Sequence, residues 1–257
     1  MYLVAIHQWQ QETTEVAEIV AAALNLLVFE ARQKVIGGEP VVIASFADQN
    51  QAEELAIKIT DAGIPAWVID TLKVRNNNLQ QYASRFELGA QTLQVTTSTG
   101  ESLEIDYKTI DLLLIAICSA GQIQTTNTTV ERKFSLGKTL LSGGIPMTKK
   151  VKTTETSVTE ERDKTFWLYT RSGETLIFTR NAMNYTGLGE ARQITHDLNF
   201  TYLLKELQRL APQAHYNDQL LTRVGQAQML GQVLNPESDL DLAFAILSQS
   251  LRDTLRC

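Results

Sequence analysis

The N-terminal third of the sequence alternates β-prone runs with segments of helical periodicity. Asp48, three residues before Gln51, forms a capping-box pattern that starts a helix. The pattern predicts a strand at 2–6, a helix over about 15–35, a strand at 40–46, a helix over about 49–62 and a strand at 64–70. This β-α-β-α-β order predicts a small α/β domain over 1–72 with right-handed crossover connections.

After residue 72 the pattern changes to paired strands. Two glycine-containing turns predict two hairpins, one between 91–97 and 102–106 and one between 165–170 and 175–180. An amphipathic helix over 200–210 follows and is stopped by Pro212. We therefore expect a β domain over 84–212 and a helical C-terminal extension over 213–257.

The two hairpins followed by one amphipathic helix resemble the pleckstrin-homology-like (PH-like) barrel of bacteria, over roughly residues 86–211. The stretch 40–70 is similar to small bacterial α/β modules of signalling role. The resemblance implies an α+β fold, with a small N-terminal βαβαβ layer, an antiparallel PH-like β-barrel with a closing helix, and a helical tail. It implies no particular chemistry, because a fold does not determine a function.

The composition is that of a globular protein. The chain has 257 residues, 44% hydrophobic and 20% charged, and its 23 basic and 29 acidic residues give a net charge of −6. Nucleic-acid binding is not expected, since it needs a basic surface. No apolar run reaches the length of about 18 residues that a membrane span needs. The first residues lack the basic start of a signal peptide, and Cys118 and Cys257 indicate no disulfide framework, so we expect a cytoplasmic protein.

Motifs for catalysis and cofactor binding are incomplete. The three histidines, His7, His196 and His215, lack the spacing of a metal pair. The stretch 137–139 ends like a phosphate-binding loop, but Arg132 occupies the position of the glycine that such a loop requires. We therefore predict no catalytic residue, no metal site and no cofactor.

The segment 119–164 departs from the rest of the chain. It is predicted as a long loop inserted into the β domain, because hairpin connections usually have about 2–5 residues. Between residues 130 and 152 six basic residues face one acidic residue, with apolar residues between them. These six are the predicted contact residues: Arg132, Lys133, Lys138, Lys149, Lys150 and Lys152.

We therefore predict a non-enzymatic binding or scaffolding protein that contacts an anionic membrane surface or a protein partner through the basic loop 130–152. The opposite interpretation is that the apolar residues of this loop fold back onto the protein and leave the lysines solvated.

Two other functions stay open. The first is a hydrolase-type enzyme with a site between the two domains, built from His196, Asp197, Tyr185 and Arg180. The second is a structural subunit of a larger assembly, because the stretch 20–29 of the first helix is more apolar than a small domain needs to cover. An oligomer would be consistent with this second function.

Overall fold

The computed structural model describes residues 1–77, 79–134 and 148–256, and for 119–134 and 148–161 it describes the backbone alone. The chain forms two units. One contains Met1–Cys118 and Asp163–Cys257, and the other is Ser119–Arg162. The fold is mixed α/β, as the sequence predicts.

The N-terminal sheet has three strands in the order β2-β1-β3. The elements follow along the chain as β1 Tyr2–Ile6, α1 Thr13–Leu24, α2 Val28–Val35, β2 Val41–Phe46, α3 Gln49–Asp61, β3 Ala66–Asp70 and the short helix α4 Thr71–Arg75. The central strand β1 runs antiparallel to both neighbours. The β1–β2 connection is therefore not the predicted crossover between parallel strands, since a hydrophobic pattern carries no information on strand direction.

The predicted first helix is two helices. Asn25 adopts a left-handed conformation with φ 55° after α1, and α2 starts three residues later. Asparagine tolerates this conformation better than most residues, which explains the break inside a continuous apolar pattern. The helices cover one face of the sheet with a core that includes Val16, Val20 and Ile59.

The larger sheet has seven strands in the order β10-β7-β8-β9-β4-β5-β6. Its strands are β4 Gln80–Leu88, β5 Thr92–Thr97, β6 Ser102–Asp106, β7 Ile110–Phe134, β8 Thr148–Thr170, β9 Thr175–Thr179 and β10 His215–Leu220. The predicted hairpins are present as the antiparallel pairs β5–β6 and β8–β9. The pairs β4–β9 and β7–β10 are parallel, so the sheet is mixed.

The order of the described strands leaves β6 and β10 at the two edges of the sheet. The predicted antiparallel PH-like barrel is therefore not closed. Helix α5, His196–Leu210, starts four residues before the predicted boundary because Thr195 caps it by accepting a hydrogen bond from Leu198 N. Its apolar side packs Phe200 and Leu203 into the core on one face of the sheet.

The opposite face is covered by α6, Arg223–Leu230, and α7, Leu240–Arg256. The core on this side combines Leu3 and Ile69 of the N-terminal sheet with Leu112 of the large sheet and Phe244 of α7. The strands predicted as two domains, 1–72 and 84–212, thus share one core with a helix of the predicted extension 213–257.

Two polar contacts fix α7 to the sheets. Arg252 donates from Nε and Nη2 to the carboxylate of Asp111 on β7, at 3.0 and 3.2 Å. On the N-terminal sheet, Trp67 Nε1 donates to Asp253 Oδ2 at 3.1 Å. Both bonds join residues more than a hundred positions apart, so the C-terminal helix closes the fold.

His7 follows β1 and is buried, with 4% of its surface exposed. Its ring stacks on Trp67 with a centroid distance of 3.5 Å and an interplanar angle of 17°. Burial lowers the pKa of His7 to about 4, although the charge of Asp253 acts in the opposite direction. Nδ1 has no hydrogen-bond partner among the described residues, and the low pKa keeps this buried ring neutral at neutral pH.

The sequence predicts the segment 119–164 as an inserted loop. In the structure, most of its described residues belong to strands. β7 continues to Phe134 and β8 begins at Thr148, while residues 135–147 lie outside the described residues. Threonine and valine are frequent on both sides, and β-branched residues favour strands. The prediction of a loop failed because it used only the usual length of hairpin connections.

Candidate functional site

The predicted contact residues lie on both sides of residues 135–147. Arg132 and Lys133 are near the end of β7, and Lys149, Lys150 and Lys152 are near the start of β8. Lys138 lies outside the described residues, and the side chains of the other five are outside them as well. The backbone thus assigns these five positions to two long neighbouring strands of one sheet.

The same two strands meet a buried carboxylate in the first unit. Asp163 of β8 is 3% exposed and accepts hydrogen bonds from Arg180 Nε at 2.9 Å and from Asn181 N at 3.2 Å. The thiol of Cys118 on β7 lies 3.5 Å from Asp163 O and donates to it. Asp163 therefore connects the interior of β7 and β8 with the residues that follow β9.

A second carboxylate extends this cluster to α5. Asp197, in the first turn of the helix, accepts from Lys164 Nζ at 3.0 Å and from Arg180 Nη1 at 3.1 Å. The hydrogen bonds from Lys164 and Arg180 lower the pKa of Asp197, so it is ionised at neutral pH. A negative charge at this end of a helix is also favoured by the helix dipole.

Tyr185 and His196 both contact the main-chain carbonyl group of Arg180. The hydroxyl of Tyr185 donates to Arg180 O at 2.8 Å, and Nδ1 of His196 lies 3.3 Å from the same oxygen. The two rings meet edge to face at 5.4 Å. The structure thus brings together all four residues of the enzyme alternative, through contacts among residues of the stretch 180–197.

The side chains of this cluster hold neighbouring elements of the fold together. Burial raises the pKa of Tyr185, and burial followed by the charge of Asp163 raises that of Cys118, so both stay protonated at neutral pH. A protonated thiol is a poor nucleophile. The two carboxylates are engaged by Arg180 and Lys164, and of these four charged side chains Asp163 is the buried one. We call Cys118, Asp163, Lys164, Arg180 and Asp197 the anchor cluster.

The sequence did not mark Cys118, Asp163 or Lys164 as site residues. The register of the β8–β9 hairpin places Lys164 opposite Arg180 and Asp163 opposite Asn181. Thr165 pairs with Thr179, so extending this register by two residues would have brought Asp163 close to Arg180. The predicted hairpin therefore already contained the information that places Asp163 near Arg180.

An exposed apolar patch follows the break between α1 and α2. Leu27 and Phe29 are 71% and 70% exposed. They fall within the stretch 20–29 that the sequence marks as more apolar than a small domain can cover, and the break turns their side chains to the surface. Large exposed apolar side chains next to each other are typical of contact surfaces.

Among the described residues no group of three or more histidines, cysteines or acidic residues could hold a metal ion. No helix in this part of the chain is long and apolar enough to cross a membrane. The chain matches no family model, no curated protein and no solved structure.

Proposed function

We propose that the chain is a non-enzymatic binding or scaffolding protein, and that its basic segment 130–152 contacts an anionic membrane surface. The observation that carries the proposal is the reversal of charge. The chain has a net charge of −6, yet this segment has six basic residues and one acidic residue.

The charge of the segment is sufficient for a membrane contact. A lysine or arginine near an anionic bilayer contributes about 1 kcal/mol. Six such residues give about 6 kcal/mol, which corresponds to weak, reversible binding. Apolar residues such as Phe134, Leu140 and Leu141 lie between the basic ones in the sequence, and their insertion would strengthen the contact.

The PH-like comparison belongs to the same proposal. The β5–β6 and β8–β9 hairpins and the packing of α5 against one face of the sheet support it. The parallel pairs β4–β9 and β7–β10 depart from an antiparallel barrel. The proposal of binding does not depend on this comparison.

Co-sedimentation with vesicles tests the proposal. The wild type is expected to sediment with vesicles of phosphatidylcholine and phosphatidylserine, less so as salt is raised, and not with phosphatidylcholine alone. A variant with Lys149→Glu, Lys150→Glu and Lys152→Glu should bind about 100-fold more weakly, since it loses about 3 kcal/mol of attraction.

A matched control carries the same change of charge elsewhere. Lys73→Glu, Lys108→Glu and Lys205→Glu replace three exposed lysines of the first unit, and this triple variant should bind vesicles nearly as the wild type does. Equal losses in both variants would mean that only net charge matters, and the proposal would be wrong. Capture of an acidic protein by the wild type, with no vesicle binding, would replace the membrane by a protein partner.

A second function is favoured by the exposed patch at Leu27 and Phe29. These side chains are 71% and 70% exposed, which fits a structural subunit that buries them against another copy or another protein. Light scattering over a range of concentrations tests this function. A larger assembly that Phe29→Glu dissociates would support it, and a wild type that is monomeric at every concentration would contradict it.

A further inference from the structure

A cavity of about 480 Å³ lies between the large sheet and α7. Tyr82, Thr165 and Trp167 contribute to its floor from β4 and β8, and Asp241 and Phe244 contribute to its roof from α7. A volume of this size is within the range of about 300–1,000 Å³ typical of small-molecule sites. The described residues that line the cavity belong to the first unit, and Cys118 is the one of them that also belongs to the anchor cluster.

Two residues that line this cavity each carry a buried oxygen with no hydrogen-bond partner in the part of the chain that the structure describes. Thr165 is 4% exposed, and its Oγ1 is unpartnered. Oδ1 of Asp241 is also buried and unpartnered, while its Oδ2 lies 3.5 Å from Arg75 Nε. Leaving such groups unpaired is costly, so they are rare in native structures. Two of them lining one cavity indicate that a ligand supplies the missing partners.

The charge of the cavity favours a cation. A carboxylate oxygen only accepts hydrogen bonds, so Asp241 Oδ1 requires a donor. Arg75 is shared between Asp241 and Asp239, which leaves these two carboxylates incompletely neutralised. An anionic ligand would meet like charge here, whereas an ammonium group would complete the pairing.

The aromatic side chains define the rest of the ligand. Trp167 and Phe244 stack with a centroid distance of 4.2 Å and an interplanar angle of 8°, which gives the cavity a rigid apolar wall. Tyr82, also in the lining, is 57% exposed, so one side of its ring remains open for contact. Aromatic faces attract both planar apolar groups and cations.

We infer that this cavity binds a small molecule with a protonated amino group on an aromatic body, with the ammonium at Asp241 and Thr165 and the ring at the aromatic wall. The site is separate from the basic segment 130–152 and does not depend on the function proposed for it. Ligand binding would give Thr165 Oγ1 and Asp241 Oδ1 hydrogen-bond partners and would hold α7 against the sheet.

Titration with phenethylamine tests the inference. Saturable binding should be detected by calorimetry and should shift the indole NMR signal of Trp167. The isosteres 2-phenylethanol and phenylacetate test the role of charge, because the neutral alcohol should bind more weakly and the carboxylate should not bind. Absence of binding by phenethylamine, or equal binding of phenylacetate, would overturn the inference.

Two variants locate the site. Asp241→Asn should weaken the binding of phenethylamine about tenfold, because the variant loses a charge-assisted hydrogen bond. The control Asp218→Asn, at an exposed position of β10, should bind phenethylamine as the wild type does. Thr165→Val should also weaken binding, yet it should raise the melting temperature of the free protein by about 2–4 °C, because it removes an unpaired buried hydroxyl. Unchanged affinity in both cavity variants would place the amine elsewhere and contradict the inference.

Discussion

Lowering the pH should destabilise the protein through His7. In the unfolded chain this histidine takes up a proton near its ordinary pKa of 6.5, whereas burial holds its pKa at about 4 in the folded protein. Protons therefore bind the unfolded state first as the pH falls. The stability that depends on a neutral His7 is complete above pH 6.5 and is lost as the pH falls from about 6.5 to about 4.

The two pKa values set the size of the effect. A shift of one unit corresponds to about 1.4 kcal/mol between the two protonation states. At pH 5 the linkage relation gives a loss of about 2 kcal/mol in the free energy of unfolding, relative to neutral pH. His7 is buried and stacked on Trp67, so the charge of Asp253 compensates only in part for the loss of solvation of a protonated ring.

Urea unfolding at neutral pH and at pH 5 measures the effect. His7→Phe keeps an aromatic ring against Trp67 but takes up no proton, so it should lose about 2 kcal/mol less than the wild type between the two conditions. His215→Gln is the control, since His215 is exposed at the start of β10, and it should keep the pH dependence of the wild type. Identical pH dependence in the wild type and His7→Phe would refute the reasoning.

Two further predictions concern the supports of the fold. Asp163→Ala should lower the free energy of unfolding by about 3 kcal/mol, because Arg180 loses one of its two carboxylate partners and two backbone N–H groups lose their acceptor. Asp61→Ala, at an exposed helix end, should change the free energy of unfolding by less than about 0.5 kcal/mol in the same urea experiment. Gly187→Ala should lower the free energy of unfolding by about 3 kcal/mol, since the added Cβ would lie 1.8 Å from Phe86 O. A wild-type melting curve for Gly187→Ala would contradict the close approach of these two segments.

Local patterns were enough to predict several elements. The turns of the β5–β6 and β8–β9 hairpins contain Gly100 and Gly173, which adopt the positive φ that glycine accommodates without strain. The helix α3 begins after Asp48, whose side chain accepts from Gln51 N as the capping pattern predicts. These features depend on a few consecutive residues, and a single sequence therefore reveals them.

Long-range features were not predictable in the same way. The direction of β1 and the packing of α7 across both sheets depend on residues far apart in the chain, such as Arg252 with Asp111. The cavity under α7 exists only after this packing, so the sequence around Asp241 does not reveal it. The residues of the anchor cluster were partly predicted, because Arg180 and Asp197 are polar residues placed close to strand and helix ends.

The affinity of the protein for phosphatidylserine-containing vesicles tests the central claim most directly. The account predicts that the variant with Lys149→Glu, Lys150→Glu and Lys152→Glu binds about 100-fold more weakly than the variant with Lys73→Glu, Lys108→Glu and Lys205→Glu. Equal affinities for these two variants, which have the same net charge, would contradict it.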